Sequence, residues 1–426
     1  MTFYQKTTLP NGLRVVTESI GHVRSAAVGV WVGTGSLYET PAEMGVSHLI
    51  EHMLFKGTER RSALEIARAI DGRGGALNAF TAKEYTCYHA RVLDEHLPLA
   101  LDVLADMLLN SRFDPADLAR EKDVICEEIK MYEDVPDDLV HDLFAGALWR
   151  GHALGRPIVG TTERVQAMTR EEILAYKARH YVPENMVVAA AGHLEHERVV
   201  EWAHQLFGPM APGPGDRPAP GAPADPEGPA IVVRQKEIEQ AHLVLGTTAL
   251  PLTDPNIYAL YVLNAIVGGS SSSLLFQEVR EKRGLAYSVY SYHSMYRSAG
   301  CFGVYAGVSP RMVDPTLELV LDLLTGLGRR GVTEEELSEA REQLKGQLML
   351  GLESTSSRMS RLGRGELIRG CVYSPDEVIA RVDAVTLEQV NALAHRLFVE
   401  ECRVLAAVVP HTMQHDFSRY GEVLYD

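Results

Sequence analysis

The 426-residue chain carries 41 Lys and Arg against 57 Asp and Glu, a formal net charge of −16, with 46% hydrophobic and 23% charged residues. That length predicts about two to three domains of ordinary soluble composition. The acidic balance excludes nucleic acid as the main partner, and the absence of any apolar run of roughly 18 residues excludes a membrane-spanning role.

The first eight residues, Met1 to Thr8, show no charged segment followed by an apolar one, so no secretory signal is expected and the protein reads as cytoplasmic. The cysteines Cys87, Cys126, Cys301, Cys371 and Cys402 are odd in number and form no CxxC pair. They predict buried apolar residues rather than a disulfide framework or a thiolate metal site.

Along the chain, residues 26–32 have strand character. Next comes His48-Leu49-Ile50-Glu51-His52. On a helix, His48 and His52 lie four apart on one face with Glu51 beside them, and Ser47 is the candidate N-cap. Two imidazoles on adjacent turns can hold one Zn²⁺, and the order H-x-x-E-H is an inverted zinc-peptidase motif. Apolar neighbours on both sides bury this helix, and buried histidines and a glutamate need polar partners. A metal supplies them.

Residues 85–92 read as a strand and 97–109 as a helix, with apolar residues at spacings of three and four. A catalytic zinc needs a third protein ligand. The helix predicted over 115–132 offers Glu121, Glu127 and Glu128, and composition does not choose among them. Asp138 and Asp142 follow, four apart on one helical face.

Thr169 and Glu172 form a capping box opening a helix that leads to a strand at 186–191. Residues 208–229 are then so rich in Pro and Gly that they read as an extended linker. Beyond it the pattern returns. Thr386 opens a helix as Thr169 does, 217 residues on, and 403–409 is again a strand; the helix after Thr333 matches the one after Asp114. Two similar halves are therefore expected, 1–207 and 230–426, each an α+β layer. At the repeat offset, Ala265, Gly268 and Gly269 stand for His48, Glu51 and His52. The second half has no metal site and holds instead a Gly/Ser-rich loop at 268–273.

The segment Gly45 to Thr58 closely resembles the active-site segment of the insulinase (pitrilysin-like, M16) metallopeptidases. So do Leu9-Pro10-Asn11-Gly12-Leu13, Asn78-Ala79-Phe80-Thr81 and the run Leu154 to Thr161. The resemblance covers nearly the whole chain, and the length matches the processing-peptidase branch. It implies two homologous domains, each a mostly antiparallel sheet packed with helices, together forming half of a clamshell. It also implies that Glu128 is the third ligand of one Zn²⁺ per chain and that Glu121 supports the site.

The same resemblance implies peptide-bond hydrolysis, with Glu51 as general base, Tyr287 as donor to the oxyanion and Arg280 holding the substrate backbone. Residues 75–80, with Leu77, Asn78, Ala79 and Phe80, look like the family's edge strand, to which an extended peptide adds. Family members enclose substrate between two such chains. A homodimer is thus implied, with a heterodimer as the alternative, and Arg280 and Tyr287 would serve the partner's zinc. Acidic residues near Asp138 and Asp142 recognise a substrate arginine in the mitochondrial processing peptidase, which implies a preference for basic residues near the cut. The competing reading is a catalytically silent or partner-dependent subunit, although every piece of the zinc motif is present.

Overall fold

A computed structural model describes residues 3–213, 221–226, 228–400 and 403–424. Residues 214–220 and 227 of the expected linker, and Cys402, lie outside the described residues. The described part of 208–229 forms neither helix nor strand.

Two six-stranded sheets organise the chain. The first contains β1 (Gln5–Thr8), β2 (Arg14–Ser19), β3 (Ser25–Val32), β4 (Ala76–Thr81), β5 (Thr86–Leu93) and β6 (Met186–Gly192), in the order β1-β2-β6-β3-β5-β4. The second contains β7 (Ala230–Lys236), β8 (Ala241–Ala249), β9 (Ala286–Met295), β10 (Gly300–Val308), β11 (Val404–Pro410) and β12 (Glu422–Leu424), in the order β12-β7-β11-β8-β10-β9.

Five strands of each sheet follow one plan. A parallel pair, β2 with β6 or β7 with β11, is extended by antiparallel partners to a free edge at β4 or β9. The repeat seen in sequence is thus a repeat of topology, and the fold is the expected α+β arrangement of two mostly antiparallel sheets packed with helices. Both capping boxes form: the Thr169 and Thr386 side chains accept from the amides of Glu172 and Gln389 while those side chains accept in return.

The halves 1–207 and 230–426 describe the repeat, whereas compactness groups the chain differently. One unit comprises Met1–Ile129, Pro157–Pro220 and Leu350–Ser374; the other comprises Lys130–Arg156, Gly221–Met349 and Pro375–Asp426. Each sheet is therefore covered on one face by a helix from the opposite half of the sequence. In the first unit, Met359 and Leu362 of the helix Thr355–Arg369 pack on Trp31, Ala27, Val187 and Ala189. Gly363 allows the approach, because a Cβ there would lie 2.1 Å from Trp31 Nε1. In the second unit, the helix Pro136–Leu148 sets Phe144 over Gly246, where a Cβ would come within 2.5 Å of its ring.

The other face of the first sheet carries the larger apolar core. The helices Val46–Leu54, Leu97–Asn110 and His196–Phe207 pack there, with Leu49, Ile50, Met53, Leu101, Leu104 and Phe207 fully buried. Among the described residues no helix is long and apolar enough to cross a membrane.

Candidate metal centre

The helix Val46–Leu54 buries Val46, Leu49, Ile50, Met53 and Leu54 in that core, which leaves positions 48, 51 and 52 to the opposite side. His48, Glu51 and His52 do so. The two imidazole rings have centroids 4.6 Å apart at 65°. Ser47 is not the N-cap. The helix begins two residues earlier, capped by Gly45 in the left-handed region at φ +91°, and Ser47 is buried inside its first turn.

The helix Pro115–Asp134 approaches from the side. Glu128 Oε1 lies 3.8 Å from His48 Nε2, and Oε2 lies 3.4 Å from His52 Nε2. One donor atom from each of His48, His52 and Glu128 falls within 4.8 Å of the others, a group able to hold a metal ion. Glu121, two turns earlier, sits behind His52: its Oε2 is 3.2 Å from His52 Nδ1, and its Oε1 accepts from Lys56 Nζ at 2.6 Å. With Nδ1–H donating to Glu121, the lone pair of His52 is left on Nε2, facing Glu128. Glu127 is exposed on another flank of the helix.

Glu51 is held from the sheet. Thr81, the last residue of β4, donates its hydroxyl to Glu51 Oε2 at 2.6 Å. Burial raises the Glu51 pKa, and the Thr81 bond offsets only part of the rise. His48 behaves oppositely to its neighbour. Burial and the charge of His52 pull its pKa down to about 4. For His52, burial also lowers the pKa, but the hydrogen bonds to Glu128 and Glu121 win and leave it raised. The hydrogen bond from His52 in turn lowers the Glu128 pKa. One carboxylate thus faces two imidazoles, the charge on either disfavouring the charge on the other, and among the described residues the buried Nδ1 of His48 has no hydrogen-bond partner. Two nitrogens and one oxygen converging this way suit a zinc ion.

The remaining sequence candidates fall into two groups. In the first unit, Leu77 and Ala79 of β4 turn toward the core, whereas Asn78 and Phe80 face outward, Phe80 with its ring edge-on to Trp31 and Tyr85. Among the described residues β4 pairs with β5 alone and is the sheet's edge. In the second unit, Arg280 lies over the rings of Phe276 and Tyr287, 4.7 and 5.2 Å from their centroids, and Tyr287 is 78% exposed. Asp138 and Asp142 are exposed on the helix Pro136–Leu148.

Sequence reasoning missed Thr81 and Lys56, which hydrogen-bond Glu51 and Glu121. Thr81 stood in a recognised segment, but nothing local tied it to Glu51.

In class, then, this is an α+β protein of two like sheets with a candidate mononuclear metal centre. Residues 14–162 match the family model described as insulinase (peptidase family M16), and residues 167–344 match the one described as peptidase M16 inactive domain. The chain is 47% identical over 410 residues to the uncharacterized zinc protease YmxG of Bacillus subtilis, across 95% of this chain and 98% of that one. It is 34% identical over 430 residues to a probable mitochondrial-processing peptidase subunit beta of Arabidopsis thaliana, across 98% of this chain and 81% of that one. A peptidase M16 inactive domain from Pseudomonas fluorescens has the same fold, with a TM-score of 0.89 at 24% identity over 97% of this chain and 100% of that one. The chain belongs to the M16 peptidase family.

Proposed function

We propose that this protein is a zinc-dependent endopeptidase acting on extended or unfolded peptides. The observation that carries the reading is the junction of β4 with the metal helix, where the last residue of a free sheet edge hydrogen-bonds the acid between the two histidines. A peptide added to that edge by backbone hydrogen bonds would run past Glu51.

His48, His52 and Glu128 would hold the ion, and Glu121 would keep His52 in the coordinating tautomer. When bound, zinc supplies Lewis-acid polarisation of the scissile carbonyl and activation of water. Glu51 takes the proton from the attacking water and returns it to the leaving amine, a role suited to a carboxyl with a raised pKa. Leu77, Asn78, Ala79 and Phe80 bind the peptide backbone. Arg280 and Tyr287, from a partner chain, complete the site in a dimeric chamber, and Asp138 and Asp142 favour basic residues near the cut.

The test is cleavage of a quenched basic peptide by the purified chain, with zinc and after chelation. Cleavage abolished by the chelator and restored by zinc is expected. Stoichiometric zinc without cleavage would favour the alternative of a partner-dependent subunit.

A further inference from the structure

The helix that carries both histidines lacks an ordinary cap. Its N-cap, Gly45, offers no side chain, and none could be added: φ is +91°, and a Cβ would lie 2.8 Å from the Val159 carbonyl oxygen. The first amides of a helix need acceptors. Here they come from six residues back. Glu39 Oε2 accepts from the Gly45 amide and Oε1 from the Ser47 amide, both at 2.8 Å.

Glu39 is 4% exposed. Burial pushes its carboxyl pKa up to about 7, despite the two amides and the nearby Lys83 that favour the charge. The hydroxyls around it are also buried. Ser47 Oγ lies 3.1 Å from Tyr176 Oη, which lies 2.9 Å from Thr34 Oγ1, and all three residues are fully buried. A buried acid is an expensive way to cap a helix that needs only stability. What it provides is a two-point grip on the turn immediately before His48.

We propose that Glu39 is a positioning residue of the metal centre, its carboxylate gripping the Gly45 and Ser47 amides so that His48 meets His52 and Glu128. The inference rests on the zinc reading above. The Gln variant keeps one acceptor and turns an amide donor toward the other N–H, which loosens the grip at residue 45 or 47. Removing the buried charge offsets the lost hydrogen bond in overall stability.

The experiment measures zinc dissociation constants of the full-length chain by competition with a chromophoric chelator at pH 8, beside the thermal melting of the metal-free forms. Wild type, Glu39→Gln, Glu39→Asp and the core variant Val199→Ala are compared. Glu39→Gln is expected to bind zinc about 10-fold more weakly or worse, the range known for partners behind metal ligands, without a lower metal-free melting temperature. Glu39→Asp, charged but too short to reach both amides, is expected to fall between. Val199→Ala should melt lower yet keep wild-type affinity. Unchanged zinc affinity in both Glu39 variants overturns the proposal. So does a loss matched by Val199→Ala, since that would be general destabilisation. Wild type that binds no zinc would remove the functional reading itself.

Discussion

Thr81 Oγ1 and Glu51 Oε2 are 2.6 Å apart, and this one bond joins an open sheet edge to the acid of the histidine helix. It also holds the Glu51 pKa below the value that burial alone would impose. Replacing Thr81 by Val removes the donor and keeps the shape. The acidic limb of the pH–rate profile should move to higher pH, and turnover at pH 7 should fall about 10-fold with zinc retained, since a misplaced or protonated base loses part of its contribution. Peptide cleavage across pH 5 to 9 measures both.

Glu51→Gln preserves size and hydrogen bonding but cannot take a proton. Zinc content should be unchanged, while kcat falls by about 10²–10⁴-fold. Cleavage at the wild-type rate would reject Glu51 as the base.

Arg280 and Tyr287 stack on each other rather than on core residues, with the tyrosine ring largely in solvent. If they complete a partner's site, Arg280→Ala and Glu51→Gln chains, each inactive alone, should regain activity when mixed. Up to about one quarter of the sites would be restored by random pairing in a twofold dimer. No recovery after exchange of subunits would argue against the dimeric chamber.

Asp138 and Asp142 are exposed on one turn-to-turn face. A double change to Asn should flatten a preference for Arg or Lys near the cut, by about 3- to 10-fold in relative kcat/KM for rim charges of this kind. A peptide-library profile identical in both proteins would dismiss them.

Lys177 offers a test independent of the metal. Its ammonium has the rings of Phe113 and Tyr181 near it, and burial depresses its pKa to about 8 from 10.5. A base with a depressed folded pKa contributes full stability above the unfolded value and loses it as pH falls to the folded one. Lys177→Met should therefore be more stable than wild type at pH 7, by about 2 kcal/mol, with the gain shrinking from pH 8 toward 10.5. Denaturant titrations at pH 7 and 10 decide it.

Much of this was legible in the chain because it is local. His48, Glu51 and His52 lie within two turns, and helical spacing alone brings them to one side. Glu121 and Glu128 were visible as one face of one helix, but nothing local says which carboxylate reaches His52 Nε2 and which reaches Nδ1; resemblance was needed to separate them. The repeat announced itself through Thr169 and Thr386, whose capping boxes are short-range chemistry. The exchange of the helices Pro136–Leu148 and Thr355–Arg369 was not legible, because an amphipathic helix states that it has an apolar face and not which sheet will cover it. Ser47 misled for a related reason. Ser is a good cap by type, but the left-handed Gly45 had already started the helix.

Gly268, 217 residues after Glu51, is the last residue of the helix Ile257–Gly268, and a Cβ there would lie 2.2 Å from the backbone nitrogen of Ser291. The backbone of β9 fills the space that a side chain at this helix end would need. Placing an acid there would drive a side chain into that strand. A carboxylate could not be added at this position by side-chain substitution alone; the strand would have to move first.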